Sequence, residues 1–141
     1  LRRLLADRAG PAGVPDAVVH LWNLDLPALE ATERRYLEAH STTGAYSLIA
    51  LAQALRSDPD QSAAPAALHI VTRGAQAADR GQSVEPLGAL AWGVGRVLRH
   101  QELTAHRGKL IDLAPNARGG PRPDEVRRAE ARALLDDILH N

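Results

Sequence analysis

The residues Gly93 and Gly95 have the spacing that begins a dinucleotide-binding loop. Such a loop reads G-x-G-x-x-G, follows a strand directly and opens a helix. Here Leu98 stands in the third glycine position, and both glycines lie inside a helical pattern with no strand directly before it. N–H groups within a helix are already hydrogen-bonded, and each helical glycine costs roughly 1 kcal/mol against alanine. We therefore interpret the pair as marking a helix that packs closely on a sheet, rather than a phosphate site.

Two of the six histidines, His20 and His69, lie in predicted strands where they could be neighbours. Metal sites built from histidine usually show H-x-H or H-x-x-x-H spacing, or a nearby carboxylate. Neither histidine has such a partner in the sequence. The pattern therefore favours a structural role, or exposure at a strand end, over metal binding.

Two acids, Asp25 and Asp112, lie at or near the predicted carboxyl ends of strands, where α/β proteins place their sites. We interpret both as strand-end capping groups, with Arg96 or another arginine as a partner of Asp112. The alternative is a free-standing small α/β nucleotide-binding enzyme with its site near Asp25, Arg73 and Asp112.

Other catalytic signatures are absent from the sequence. It has no G-x-S-x-G elbow, no Walker-type G-K-S/T motif and no Y-x-x-x-K. The run Leu135-Asp136-Asp137 falls in an amphipathic helix, where the acids are expected to face solvent. The sequence thus predicts no catalytic, cofactor-binding or metal-binding residue in this chain.

Hydrophobic periodicity predicts alternating helices and strands. Helices are predicted at 1–8, 28–41, 44–56 (with Thr42 or Thr43 as N-cap), 86–100 and 124–139, and strands at 17–24, 66–72 and 109–113. Alternation of this kind indicates a parallel sheet with right-handed crossovers. The predicted fold is α/β: one truncated Rossmann-like domain over 1–141, with a small parallel sheet of three to four strands flanked by helices.

The same patterns predict which surfaces are covered. The strand at 17–24 is nearly continuously apolar and is expected to be covered on both faces. The helix at 44–56 is expected to be well buried against the sheet. The last helix is expected to present an apolar face, made of Val126, Ala129, Ala133, Leu134 and Ile138.

Composition excludes several classes of function. Among 141 residues, 17 are basic and 17 acidic, so the formal net charge is zero and no basic field favours nucleic acid. Aromatic residues make up only 3%, and there is no cysteine for a disulfide or a thiolate metal site. No apolar run approaches the roughly 20 residues of a membrane span, and no signal-peptide pattern is present. We expect a cytoplasmic location, and a chain that begins in a helical pattern without Met is expected to be a piece of a longer polypeptide.

Four segments in order carry a resemblance to a known family. They are VVHLWNLD at 18–25, LHIVTRGAQA at 68–77, PLGALAWGVGRVLRHQE at 86–102 and KLIDL at 109–113. Together they resemble the structural, non-catalytic half of the ketoreductase region in bacterial type I polyketide synthases. The likeness covers most of the chain. The family's usual first strand is absent, and His100-Gln101-Glu102 departs from its commonest form.

The resemblance implies a scaffold without an active site. In that family the first, truncated half binds no cofactor. The second half holds the glycine-rich NADPH loop and the Lys, Ser, Tyr and Asn of the short-chain dehydrogenase type, none of which is present here; Lys109 alone cannot serve. The resemblance thus implies that NADPH belongs to the absent catalytic half. That half and the neighbouring synthase domains, including a phosphopantetheine-bearing carrier, are the implied partners. A pure protein-interaction module remains a further alternative.

Overall fold

A three-stranded parallel sheet forms the centre of the protein. The computed structural model describes residues 15–26, 37–56, 66–82, 84–116 and 123–140. The strands are β1 (Ala17–His20), β2 (Ala67–Arg73) and β3 (Leu110–Leu113), in the order β1-β2-β3. Val19 pairs with His69, and Ile70 pairs with Leu110. The prediction of a small parallel α/β sheet of truncated Rossmann-like form is confirmed.

The central strand β2 is the most deeply buried strand. Its five residues from Leu68 to Thr72 are all buried, as a continuous apolar run in a parallel sheet predicts. Gly74 ends the strand with a φ of +61°, which a residue without Cβ adopts at little cost. The strand therefore ends within one residue of its predicted end at Thr72.

The edge strand β1 differs from the prediction. It ends at His20, and a 3-10 turn (Trp22–Asp25) takes the place of the predicted continuation to Leu24. Val19 is exposed, so the strand is not covered on both faces. The apolar run is instead divided between an edge strand and a turn, a division that periodicity does not show.

A continuous helical stretch connects β1 to β2. It consists of α1 (Leu37–Ser41), a π-helical segment (Thr42–Tyr46) and α2 (Ser47–Arg56). The predicted N-cap at Thr42 or Thr43 is wrong, because the helix already runs through both residues. Thr42 Oγ1 donates to the Glu38 carbonyl at 3.0 Å, a bond that threonine makes back to the preceding turn within a helix.

The helix α3 (Pro86–Val97) connects β2 to β3 and continues as a second π-helical segment (Leu98–Glu102). Pro86 occupies the first turn, as predicted, where its missing N–H removes no hydrogen bond. The helices α2 and α3 pack on the same face of the sheet. Their shared core contains Leu48, Leu51, Ala52, Leu68, Ile70, Ala91, Leu98 and Leu103. The expected burial of the 44–56 helix is only partly correct, since Tyr46 and Ile49 are exposed.

Small residues let α3 lie close to β2. A Cβ on Gly95 would stand 2.6 Å from Leu110 Cδ2 and 3.1 Å from Ile70 Cδ1. Ala91 is fully buried, and a Cβ on Gly88 would meet that of Ala75 at 3.3 Å. The predicted packing role is confirmed for Gly95. It is wrong for Gly93, which faces open space on the outer side of the helix.

The last helix, α4 (Asp124–His140), contains no buried residue. Of its predicted apolar face, only Leu134 and Ile138 are half-buried, and Val126, Ala129 and Ala133 are exposed. Arg73 and Lys109 anchor it instead, by ion pairs to Glu130 and Asp137. Glu130 and Asp137 lie about 10 Å apart along a helix axis, which suits two long basic side chains at opposite ends of the strands.

The predicted helix at 1–8 and most of the predicted helix at 28–41 lie outside the described residues. Among the described helices, none is both long and apolar enough to cross a lipid bilayer.

The two glycines of the G-x-G motif provide a matched test of this packing. We expect Gly93→Ala to raise the free energy of unfolding by up to about 1 kcal/mol, since it removes only the helical cost of glycine. Gly95→Ala removes the same helical cost, but its added methyl group overpacks the contact with Ile70 and Leu110. This overpacking lowers the free energy of unfolding by about 1–3 kcal/mol. Urea denaturation should therefore find Gly93→Ala the more stable variant by at least about 1 kcal/mol. Equal stabilities would contradict the close approach at Gly95.

Candidate functional site

The carboxyl edge of the sheet, where α/β proteins usually place their sites, carries a partly buried hydrogen-bond network. Asp112 on β3 accepts from Thr72 Oγ1 at 2.7 Å. Its carboxylate also accepts from the backbone N–H groups of Ala75 at 3.0 Å and Gln76 at 2.9 Å. Thr72 is fully buried. Asp112 therefore joins β3, β2 and the loop after β2, which agrees with its interpretation as a strand-end capping group.

Arg73 lies beside this network but on the opposite face of the sheet. Its guanidinium donates to both carboxylate oxygens of Glu130, at 3.0 and 2.6 Å, and to the Ala114 carbonyl at 2.8 Å. Both side chains are mostly buried. A bidentate pair of this kind is geometrically specific, and it fixes the start of α4 to the end of β2.

The remaining members of the predicted carboxyl-edge site do not join it. Asp25 is exposed and ends the 3-10 turn after β1. Arg96 is exposed on α3, and no described hydrogen bond connects it to Asp112. The prediction of an arginine partner for Asp112 is therefore wrong: a hydroxyl and two backbone N–H groups occupy the carboxylate instead.

His20 and His69 lie on adjacent strands but do not meet. His69 is paired in register with Val19, and His20 with Ile70. Neighbouring residues of a strand point to opposite faces, so the two imidazoles are on opposite sides of the sheet. Both are nevertheless buried.

His20 belongs to a cluster that the sequence does not reveal. Its Nε2 lies 2.7 Å from Ser47 Oγ, and its Nδ1 lies 3.3 Å from Asn23 Nδ2. These are the residue types of a nucleophile, a base and an orienting group. However, the Ser47 hydroxyl donates to the carbonyls of Thr43 at 2.6 Å and Gly44 at 2.7 Å. Its proton is therefore directed into the helix.

Both ring nitrogens of His20 have a polar neighbour, Ser47 Oγ at Nε2 and Asn23 Nδ2 at Nδ1, and burial lowers the pKa of the imidazole. The cluster connects β1, the 3-10 turn and the start of α2.

Lys109 and Asp137 form a second ion pair under α4. Lys109 Nζ donates to the Asp137 carboxylate at 2.9 Å and to the Asp137 carbonyl at 2.6 Å. A cation on the last carbonyls of a helix stabilises its C-terminus. The expectation that both acids of Leu135-Asp136-Asp137 face solvent is thus correct for Asp136 and only partly correct for Asp137, whose side chain pairs with Lys109 but stays 42% exposed.

The outer surfaces of α2 and α3 enclose an apolar groove of about 610 Å³. The groove is lined by Ile49, Leu90, Gly93, Val94 and Val97, among others, and the Arg56–Glu102 ion pair lies at its margin. Leu90 is 47% exposed and Val97 is 48% exposed. Contiguous apolar surface of this kind is typical of a contact with another protein or a ligand. It also gives Gly93 a place in the structure, since a residue without a side chain widens the groove.

Comparison of the chain with protein-family models, with curated proteins and with solved structures found no match.

Replacing Asp112 by Ala removes the acceptor of three hydrogen bonds and leaves the buried Thr72 hydroxyl without a partner. We expect the free energy of unfolding to fall by about 2 kcal/mol or more. Asp25→Ala is the matched control, because Asp25 is exposed; its effect should stay within about 0.5 kcal/mol. Chemical denaturation measures both values. Equal effects would contradict the structural role of Asp112.

Acid should destabilise the protein through His20 and His69. Burial lowers the pKa of both below the ordinary 6.5, and for His69 the charge of Lys109 adds to this effect. As the pH falls, both histidines therefore take up protons in the unfolded chain before they do so in the folded chain. The free energy of unfolding keeps its full value above pH 6.5. It falls as the pH drops from there towards the pKa values of the folded state, by at most about 1.4 kcal/mol per pH unit for each histidine.

Denaturation curves between pH 8 and pH 5 test this dependence. His20→Gln should flatten the slope, and His100→Gln, an exposed control, should leave it unchanged. A slope that persists unchanged in the His20→Gln/His69→Gln double variant would show that other groups cause the acid sensitivity.

Proposed function

We propose that this chain is the non-catalytic scaffold subdomain of the ketoreductase region of a bacterial type I polyketide synthase. In this proposal it stabilises an NADPH-dependent catalytic half, which reduces the β-keto group of an acyl-carrier-bound polyketide. The chain itself supplies no catalytic group. The proposal originates in the four sequence segments that resemble this family, and the geometry of those segments supports it.

The main support for the proposal is that the polar groups at the carboxyl edge of the sheet are bonded within the chain. The polar groups that an α/β enzyme would direct at a ligand are here bonded to the protein itself. Asp112 holds the loop after β2, and Arg73 holds α4. The turn after β1 contains no glycine; its Asn23 is buried beside Gly44 and His20. A phosphate loop normally occupies a β–α turn of this kind.

The exposed apolar surface supports a partner domain. The groove between α2 and α3 is walled by aliphatic side chains and has one ion pair at its margin. A catalytic half connected to this chain in one polypeptide would cover the groove at high effective concentration. We therefore assign the groove to that half, with Leu90 and Val97 at its centre.

Joining the chain to the catalytic half should raise the melting temperature of both by several degrees, since binding to the folded state stabilises it. The double variant Leu90→Ser/Val97→Ser should lose most of this gain. The control Leu135→Ser/Leu139→Ser changes two exposed leucines of α4 and should keep it. Differential scanning calorimetry of the joined and separate proteins measures the gain.

Two outcomes count against the proposal. One is the lack of any glycine-rich nucleotide loop within a few tens of codons downstream of Asn141. The other is a joined protein whose two halves melt independently. If the joined protein gains stability but the groove variant has no effect, the scaffold proposal stands and the assignment of the groove is wrong.

A further inference from the structure

A cleft of about 510 Å³ lies at the amino edge of the sheet, opposite the edge at which α/β sites usually lie. We name it the amino-edge cleft. Six of its lining residues are basic or carry an imidazole: His69, Arg99, His100, His106, Arg107 and Lys109. Two parts of the chain supply them: β2 and the segment that leads from α3 to β3. Ile138 of α4 closes one side.

The charge of this cleft is locally positive, although the chain as a whole has a net charge of zero. No carboxylate is among the described residues that line it. Lys109 is neutralised by Asp137, just outside the cleft. Arg99 and Arg107 are exposed, and neither forms an ion pair with a carboxylate in the described part of the chain. Two guanidinium groups therefore face the same space without a counter-charge.

One wall of the cleft contains the buried ring of His69. This side chain is only 6% exposed, and among the described residues its Nδ1, which is closed to solvent, has no hydrogen-bond partner. Nearby, His106 Nδ1 lies 2.9 Å from the Ala66 carbonyl. Since a carbonyl only accepts, that nitrogen carries a proton, and the bond holds the ring in place.

The three imidazoles are not arranged as metal ligands. Within the described residues, no group of three or more His, Cys, Asp or Glu side chains could hold a metal ion. Guanidinium groups, by contrast, match the oxygens of phosphate with paired donors. The cleft is larger than a phosphate ion and falls in the range of small-molecule sites.

From this arrangement we propose that the amino-edge cleft binds the phosphate group of a small phosphorylated ligand. Arg99 and Arg107 hold the phosphate oxygens, and the rings of His69 and His106 form part of the wall of the site. The site does not depend on the proposed scaffold function, since it lies on another edge of the sheet and uses other residues. No covalent step is involved.

Titration with inorganic phosphate at constant ionic strength tests the site, followed by NMR of the ¹⁵N-labelled histidine side chains. We expect saturable shifts of the His69 and His106 imidazoles. Glycerol 3-phosphate should bind at least as tightly as inorganic phosphate, because its organic part also occupies the cleft. The same concentration of chloride should cause no saturable shift.

The double variant Arg99→Gln/Arg107→Gln should weaken phosphate binding by at least about tenfold, because two charge-assisted contacts are lost. Arg96→Gln, an exposed arginine of α3 that does not line the cleft, should leave the affinity within about twofold. Both changes are at exposed positions, and the melting temperature of each unliganded variant checks its folding. Shifts that rise linearly with phosphate, or an affinity unchanged in the double variant, would overturn the proposal.

Discussion

The close approach of α3 to β2 is the constraint on which the rest of the structure depends. A Cβ on Gly95 would crowd the side-chain ends of Leu110 and Ile70, and the fully buried Ala91 lies one turn earlier. Because α2 packs on the same face of the sheet, the core of Leu48, Leu51 and Ile70 closes only if α3 lies this close. The helical cost of the glycine, about 1 kcal/mol, is offset by the apolar surface that this packing buries.

At the carboxyl edge of the sheet, bonds within the protein occupy the polar side chains, and this limits the chemistry that they can do. Asp112 is bonded to a buried hydroxyl and two backbone N–H groups, and Arg73 is bonded to Glu130. Groups held in this way stabilise the fold but have little capacity left for a substrate. The surfaces that remain for recognition are elsewhere. One is the apolar groove between α2 and α3, and the other is the basic cleft at the opposite edge of the sheet.

The sequence predicted those parts of the fold that depend on a few neighbouring residues, such as a run of apolar residues, a glycine or a proline. The buried run of β2, the break at Gly74 and the start of α3 at Pro86 each follow from one strong signal. The errors lie where tertiary contacts decide. Thr42 has the residue type of an N-cap but lies within a helix, and the exposed edge strand β1 has the same apolar composition as a covered one. Gly93 and Gly95 are two residues apart and so face different sides of α3, which composition alone cannot distinguish.

Three features had no usable signal in the sequence. Gly108 is required because a Cβ there would overlap the Leu68 carbonyl of β2, forty residues away in the chain. The cluster of His20, Asn23 and Ser47 and the amino-edge cleft likewise combine residues from distant segments. We propose that the chain supports a cofactor-binding partner and binds no cofactor itself. Calorimetric titration of NADPH into this chain alone is the most direct test. We expect only the heat of dilution, whereas tight one-to-one binding would contradict the proposal.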